Sequence, residues 1–316
     1  MGISLACAWP APPILSPYYL NTQSREGRND RWFSCFRLGY NQVETWITTK
    51  GEDMAEALDE KARTIIEREG EPASRVQHEI TWRYLSEHLA SLTRVNEGPL
   101  DVLDAGCWMG EISLRLAEAG HRVTLLEPST CLLDSVQARA EREMPEACSS
   151  LSFMNQRIED LESCQANDFD LVICHETIEY VDDPLRAFNV ITRVLRPRGL
   201  LSLVFFNRYG EIANQVLAAR DMAAALATFE RDTFQTDFNR GTGYLYSTRE
   251  LLGLMEPLGY TVEGEYGLRV FCDYLDCSDF EQEDCFAAMT NLEEKMGREQ
   301  AFLHMGRFIH LVARKD

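Results

Sequence analysis

Nowhere in its 316 residues does the chain carry a C-x-x-C pair, and its ten cysteines are scattered. That removes the usual spacing of a zinc site or a redox dithiol, so no metal is expected. Cysteines arranged this way in a long chain read as reduced thiols in a cytoplasmic protein. No apolar run approaches the roughly 20 residues of a membrane span. The N-terminal segment lacks the basic start of a secretory signal. Basic residues are few: 31 Lys and Arg face 51 Asp and Glu, a net charge of −20. This excludes a broad electrostatic grip on nucleic acid or anionic lipid but leaves room for a local basic groove. The dinucleotide fingerprint G-x-G-x-x-G is missing as well: from Gly106 its three positions are Gly106, Trp108 and Glu111.

What is present begins after an atypical start. Residues 1–53 are rich in Pro and aromatics at first and show no helical or strand period. In codons, Lys50-Gly51-Glu52 can be written as a ribosome-binding sequence shortly before the Met54 codon. The segment is therefore expected to be translated upstream DNA, with a natural start at Met54, or a disordered extension. Beyond it, 55–68 and 74–92 read as amphipathic helices. Strands at 101–105, 122–127, 151–154, 169–175 and 199–206 then alternate with helices at 110–119, 130–143 and 184–195. Such alternation means βαβ units and a parallel, doubly wound α/β sheet of Rossmann-like type with helices on both faces. A helical insertion follows the fifth strand. Ser247 and Glu250 can form a capping box for a helix reaching Leu258. A strand over 260–271, a helix over 280–297 and a last strand over 307–314 complete the pattern.

Doubly wound sheets bind ligands at the carboxyl ends of their strands, near the switch in strand order. The first strand ends at Asp104, the turn carries Gly106 and Gly110, and the second strand ends at Glu127. Glycines let backbone approach a ligand, and a carboxylate at 127 can accept both ribose hydroxyls. An acid in the first helical turn, Glu111, would repel a pyrophosphate. S-adenosylmethionine (SAM) carries a cationic sulfonium and no phosphate, so Asp104 and Glu127 favour it over a dinucleotide. A branched residue at 106 would occupy the place where ligand meets backbone, with the fold left largely intact.

The run Asp104-Ala-Gly106-Cys107-Trp108-Met109-Gly110 resembles the first motif, D/E-x-G-x-G-x-G, of class I SAM methyltransferases, with Trp108 in place of the central glycine. The stretches "CHETIEYVDDP", "LSLVFFNRYG", "GLRVFCDYL", "CFAAMTNLEEKM" and "LHMGRFIHLVARK" together resemble the bacterial tRNA 5-carboxymethoxyuridine methyltransferases. The likeness makes residues 54–316 one SAM-dependent methyltransferase domain. It implies SAM as cofactor and a modified wobble uridine of tRNA as substrate. It implies SAM contacts at Gly106, Cys107, Glu127, Ile158, Glu159 and His175. An arginine of that family, facing the methionine carboxylate, aligns with Gln77, and Arg75 stands two residues earlier as a substitute.

A carboxylate nucleophile is already anionic at neutral pH. It needs a partner to orient it, and no general base. Arg269, Arg307 and Tyr209 are the candidate partners, and Asn207 is a candidate for closing the site. Two other readings stand beside this one. A small-molecule O- or N-methyltransferase would suit the acidic charge and could use His175 or His310 as a base. A non-catalytic SAM-binding protein would suit Trp108 and Gln77. A basic rim around the strand ends would favour RNA. Phe205, Phe206, Phe271 and Phe308 read as core, and Cys107 reads as a small turn residue.

Overall fold

The computed structural model describes residues 72–93, 98–161, 164–231, 233–235, 242–275 and 282–316. The proposed extension over 1–53 and the helix expected over 55–68 lie outside the described residues. A long helix, α1 (Pro72–Thr93), precedes β1 (Asp101–Ala105), α2 (Glu111–Glu118), β2 (Arg122–Leu126), α3 (Thr130–Glu143) and β3 (Leu151–Met154). Next come β4 (Phe169–His175), α4 (Pro184–Val194) and β5 (Leu195–Phe206). The insertion is α5 (Arg208–Leu217) and α6 (Met222–Glu230), followed by a hairpin of β6 (Thr233–Gln235) and β7 (Thr242–Tyr244). Then follow α7 (Thr248–Met255), β8 (Tyr260–Leu268), α8 (Glu283–Met296), the short α9 (Gln300–Leu303) and β9 (Phe308–Lys315).

The seven-stranded sheet runs β3-β2-β1-β4-β5-β9-β8. The first five strands are parallel, whereas β9 pairs antiparallel with both β5 and β8. The doubly wound reading thus holds for a mixed sheet, and strand order reverses between β1 and β4, where ligands bind. Residues of β1 alternate between two buried apolar layers: Val102 belongs to the one that holds Ile80, Leu85 and Leu116, and Leu103 to the one that holds Phe188 and Ile191. Sheet strands that bury both faces read as continuous apolar runs, which explains "FDLVICH" and "LLSLVFF".

Local signals set most element ends. Ser129 and Asp183 cap α3 and α4, accepting from Leu132 N and Arg186 N, and Pro184 opens α4. The Ser247–Glu250 capping box is formed. Two expectations shift. Strand β5 starts at Leu195, because Arg196 is drawn to Asp170 (2.6 Å) and Asp101 (3.0 Å), and the register breaks between Phe169 and Leu171. Strand β8 stops at Leu268, because Arg269 turns left-handed at φ 57°. That places Arg269 in a loop facing the ligand end of the sheet.

Candidate active site

The turn after β1 is stapled to the end of β2. Gly106 N and Cys107 N both donate to Leu126 O, at 2.8 and 3.1 Å, and Gly110 N donates to Cys107 O at 2.8 Å. Gly106 and Gly110 sit at φ 84° and 72°. Trp108 takes φ 52°, a conformation that costs a non-glycine residue about 1–2 kcal/mol. A Cβ on Gly106 would lie 2.1 Å from Thr177 Oγ1. The expectation that a branched residue there spares the fold is therefore corrected: it would collide with Thr177 of the neighbouring strand-end loop before it met a ligand.

Beside this turn lies a cavity of about 270 Å³, walled by α1, the β1 turn and the end of β4. Asp104, Gly106, Cys107 and His175, four of the residues expected at the cofactor, line it together with Gln77, His78 and Glu176. Asp104 accepts a hydrogen bond from Ser113 Oγ of α2 at 2.6 Å. Burial pushes its carboxyl up to about 7, with the Ser113 hydroxyl pulling part of the way back. Burial also pushes the Cys107 thiol up, which makes it a turn residue and no nucleophile. His175 Nε2 meets Ser202 Oγ at 2.8 Å, and Ser202 Oγ meets His310 Nε2 at 2.8 Å. Burial, then the neighbouring His78, push His175 down to about 3. It stays neutral and takes up protons poorly.

Glu127, Ile158 and Glu159 do not line this cavity. They follow β2 and β3, successive steps away from the switch point. Glu127 accepts from Ser129 N at 3.0 Å and Trp108 N at 3.3 Å, so two backbone groups set its orientation. Ile158 packs in the apolar layer under α4. Glu159 Oε1 accepts from Arg157 at 3.1 Å and Asp182 N at 3.2 Å, tying two loops together.

The cavity opens into a larger cleft of about 880 Å³ that shares Gln77, His78, Glu111 and Glu176 with it. Six arginines line the cleft: Arg75, Arg83, Arg115, Arg139, Arg142 and Arg269. Most are braced by acids. Arg83 and Arg115 each meet Glu79 at 3.0 Å, Arg142 meets Glu143 at 2.7 Å, and Arg139 pairs with Glu111. Arg75 lies 4.7 Å over the Phe286 ring, on the cleft wall, so it does not replace the arginine expected at Gln77.

Of the other candidates, Arg269 reaches the cleft, while Arg307, Tyr209 and Asn207 line neither space. Arg269 and Arg307 share one carboxylate. Asp273 accepts from Arg269 Nε at 2.7 Å and lies 3.7 Å from Arg307, which also meets Glu211 at 3.2 Å. Glu293 of α8 holds the Arg269 loop by accepting from the backbone N–H groups of Val270, Phe271 and Cys272, each at 2.7 Å. Asn207 is corrected to a structural role. Its Nδ2 donates to His304 O and Gly306 O at 2.8 Å, and its Oδ1 caps α5. Tyr209 is half exposed at the start of α5.

Glu176, His78, Asp273 and Glu293 were missed in the sequence. The acid-rich stretch "HETIEY" after a buried strand was the one available signal. The others depend on elements far apart in the chain.

Parallel strands, a glycine turn, two acids at strand ends and a cavity at the switch point define a class I SAM-dependent methyltransferase. The wall fits the cofactor's charge: Asp104 and Glu176 line it, and no Lys or Arg does among the described residues. Residues 103–203 match the family model described as a methyltransferase domain. The chain belongs to the tRNA 5-carboxymethoxyuridine methyltransferase family. It is 30% identical over 250 residues to the enzyme of that name from Escherichia coli (strain K12), covering 78% of this chain and 90% of that one. A ubiquinone biosynthesis O-methyltransferase from Actinobacillus pleuropneumoniae is 34% identical over 111 residues, 34% of this chain and 46% of that one. A crystal structure of a SAM-dependent methyltransferase from Mesorhizobium loti superimposes with a TM-score of 0.48 at 18% identity, covering 69% of this chain and 92% of that one. Among the described residues no helix is long and apolar enough to cross a membrane.

Proposed function

We propose that the protein methylates the carboxylate of 5-carboxymethoxyuridine at the wobble position of tRNA, giving the methyl ester, and that it acts in the cytoplasm. The observation that carries this reading is the 30% identity covering nine-tenths of the Escherichia coli enzyme. Site chemistry supports it. SAM, when bound, supplies an electrophilic methyl group. Asp104, Gly106, Cys107 and His175 are the proposed contacts at its methionine end, with Glu127 at the ribose and Ile158 and Glu159 toward the adenine. A carboxylate nucleophile needs no base, and His175, neutral and bonded to Ser202, is a poor one. Arg269, fixed by Asp273, is proposed to orient the substrate carboxylate, with Arg307 supporting Asp273 from behind. Holding the reacting atoms in line can lower the barrier by about 7–11 kcal/mol. The arginines of the cleft give phosphates a local footing that the net charge of −20 does not exclude.

Incubation with SAM and tRNA lacking the methyl ester, followed by mass analysis of nucleosides, tests the proposal. The expected product is 14 mass units heavier than carboxymethoxyuridine, roughly one added CH₂, and forms without a change in any other nucleoside. Arg269→Lys should lower turnover more than SAM affinity, because it keeps the charge but loses the bidentate fork. Alanine is the poorer test, since it strands the buried Asp273. SAM binding with unmodified tRNA across a range of salt would overturn the tRNA reading. The small-molecule alternative, which the acidic charge favours, would then take its place.

A further inference from the structure

Gln77 stands where the family likeness implies an arginine on the methionine carboxylate. Its amide is already engaged: Nε2 donates to Glu176 Oε1 at 2.6 Å. No other cation takes over on the cavity wall. None of the described residues lining it is Lys or Arg. Arg269 and Arg307, the cations whose charge reaches Glu176, are held by Asp273 and Glu211. What the wall offers is acid. Glu176 Oε2 and Asp104 Oδ1 have no hydrogen-bond partner among the described residues.

We infer that this site reads the methionine end of SAM through its α-ammonium, with Glu176 as acceptor and Gln77 as the residue that positions it, in place of an arginine on the α-carboxylate. The inference rests on SAM as cofactor and is independent of the tRNA substrate. Four features point the same way. Glu176 follows β4 directly and is pinned by its own N–H, which donates to Val204 O at 2.7 Å. It sits at φ 50°, a left-handed geometry that Gly or Asn would adopt at less cost, so the acid is kept against a backbone preference. Gln77 holds one carboxylate oxygen and so aims the other. Asp104, buried, and Glu176, partly buried, stand on one wall; two such carboxylates repel a carboxylate ligand and attract an ammonium, and a desolvated charge is costly until such a partner arrives.

Calorimetric titration of the full chain tests this with three thioethers that lack the sulfonium charge: S-adenosylhomocysteine, its decarboxylated form and its deaminated form. The decarboxylated form should bind within about threefold of the parent, and the deaminated form about thirtyfold more weakly, the loss expected for a charge-assisted hydrogen bond. In Glu176→Gln the parent should weaken by about the same factor while the deaminated form is unchanged. 5′-Methylthioadenosine, which lacks the amino-acid end, should bind wild type and variant alike and so report an intact nucleoside half. If the variant loses that compound too, Gln77→Arg decides. Arginine there should pair with Glu176 and weaken binding of the parent, and adding Glu176→Ala should restore it while introducing discrimination against the decarboxylated form. A decarboxylated form weaker than the deaminated one, or Gln77→Arg alone tightening the parent, would overturn the inference.

Discussion

The inner cavity and the outer cleft share Gln77, His78, Glu111 and Glu176, yet their walls carry different charges. Inside, Asp104 and Glu176 each leave an oxygen without a hydrogen-bond partner among the described residues. Outside, six arginines line the wall, and Glu79, Glu111 and Glu143 brace four of them. The difference teaches how one acidic chain can set a wall free of Lys and Arg beside one where six arginines stand among five glutamates. Buried carboxylates lose their water and gain most from a cationic ligand. Exposed ion pairs are each worth only about 0–1 kcal/mol, so a bound phosphate can replace their acid partner at little cost. Net charge describes neither region.

The largest effect is expected where the inner wall is filled. Gly106→Val should abolish measurable SAM binding and lower the melting temperature as well, because Cβ meets Thr177 and the backbone stays left-handed. Calorimetry and thermal denaturation on one sample measure both. A variant that binds SAM normally would separate the turn from the cofactor.

Charge reversal on the outer wall should leave SAM affinity alone. Arg142, whose side chain is 69% exposed, is the clean target. Arg142→Glu should raise KM for tRNA about three- to tenfold at low salt, with the gap closing as salt rises. An unchanged KM would remove this arm of the cleft from the RNA footprint.

Acidity should move the inner region next. The ligand-free Asp104 carboxyl titrates at about 7, and an ammonium beside it lowers that value. SAM binding then expels a proton, so affinity should climb up to about tenfold between pH 6 and 8 and level off above. Glu176, also raised by burial, acts in the same direction. Of the other groups nearby, Ser113 already bonds Asp104, Glu111 pairs with Arg139, His175 stays neutral, and burial holds His78 below its ordinary value. Folding of the ligand-free protein follows the opposite slope. A carboxyl raised from about 3.9 binds more protons folded than unfolded, so its contribution to stability falls as pH rises from 4 through 7. Calorimetry in two buffers of different ionisation enthalpy would detect the released proton.

The smallest effect is none. EDTA should leave methyl transfer unchanged, since an anionic nucleophile gains nothing from a Lewis acid. Loss of activity that divalent ions restore would favour a phenolic small-molecule substrate.

Much of this molecule was legible before folding. The alternation of "DVLDA", "RVTLL" and "FDLVICH" with capped helices follows from local periodicity and from buried strands, both of which are written into neighbouring residues. The glycine turn was legible for the same reason, since positive φ at 106 and 110 calls for glycine at those positions. The full length of β5 and the end of β8 were not. They depend on Arg196 reaching Asp101 and Asp170, and on Glu293 capturing three N–H groups of the Arg269 loop from a helix some 20 residues away.

The sequence by itself determined the class of sheet and the family, because these rest on short-range patterns and matched blocks. Tertiary structure alone decided which candidates became a site. Asn207 was drawn into the backbone, Arg269 was paired with Asp273, and Gln77 was joined to Glu176 across 99 positions of chain. A side chain's charge is visible in sequence. Its partner, and hence whether that charge is left over for a ligand, is settled only when distant elements pack against each other and exclude water.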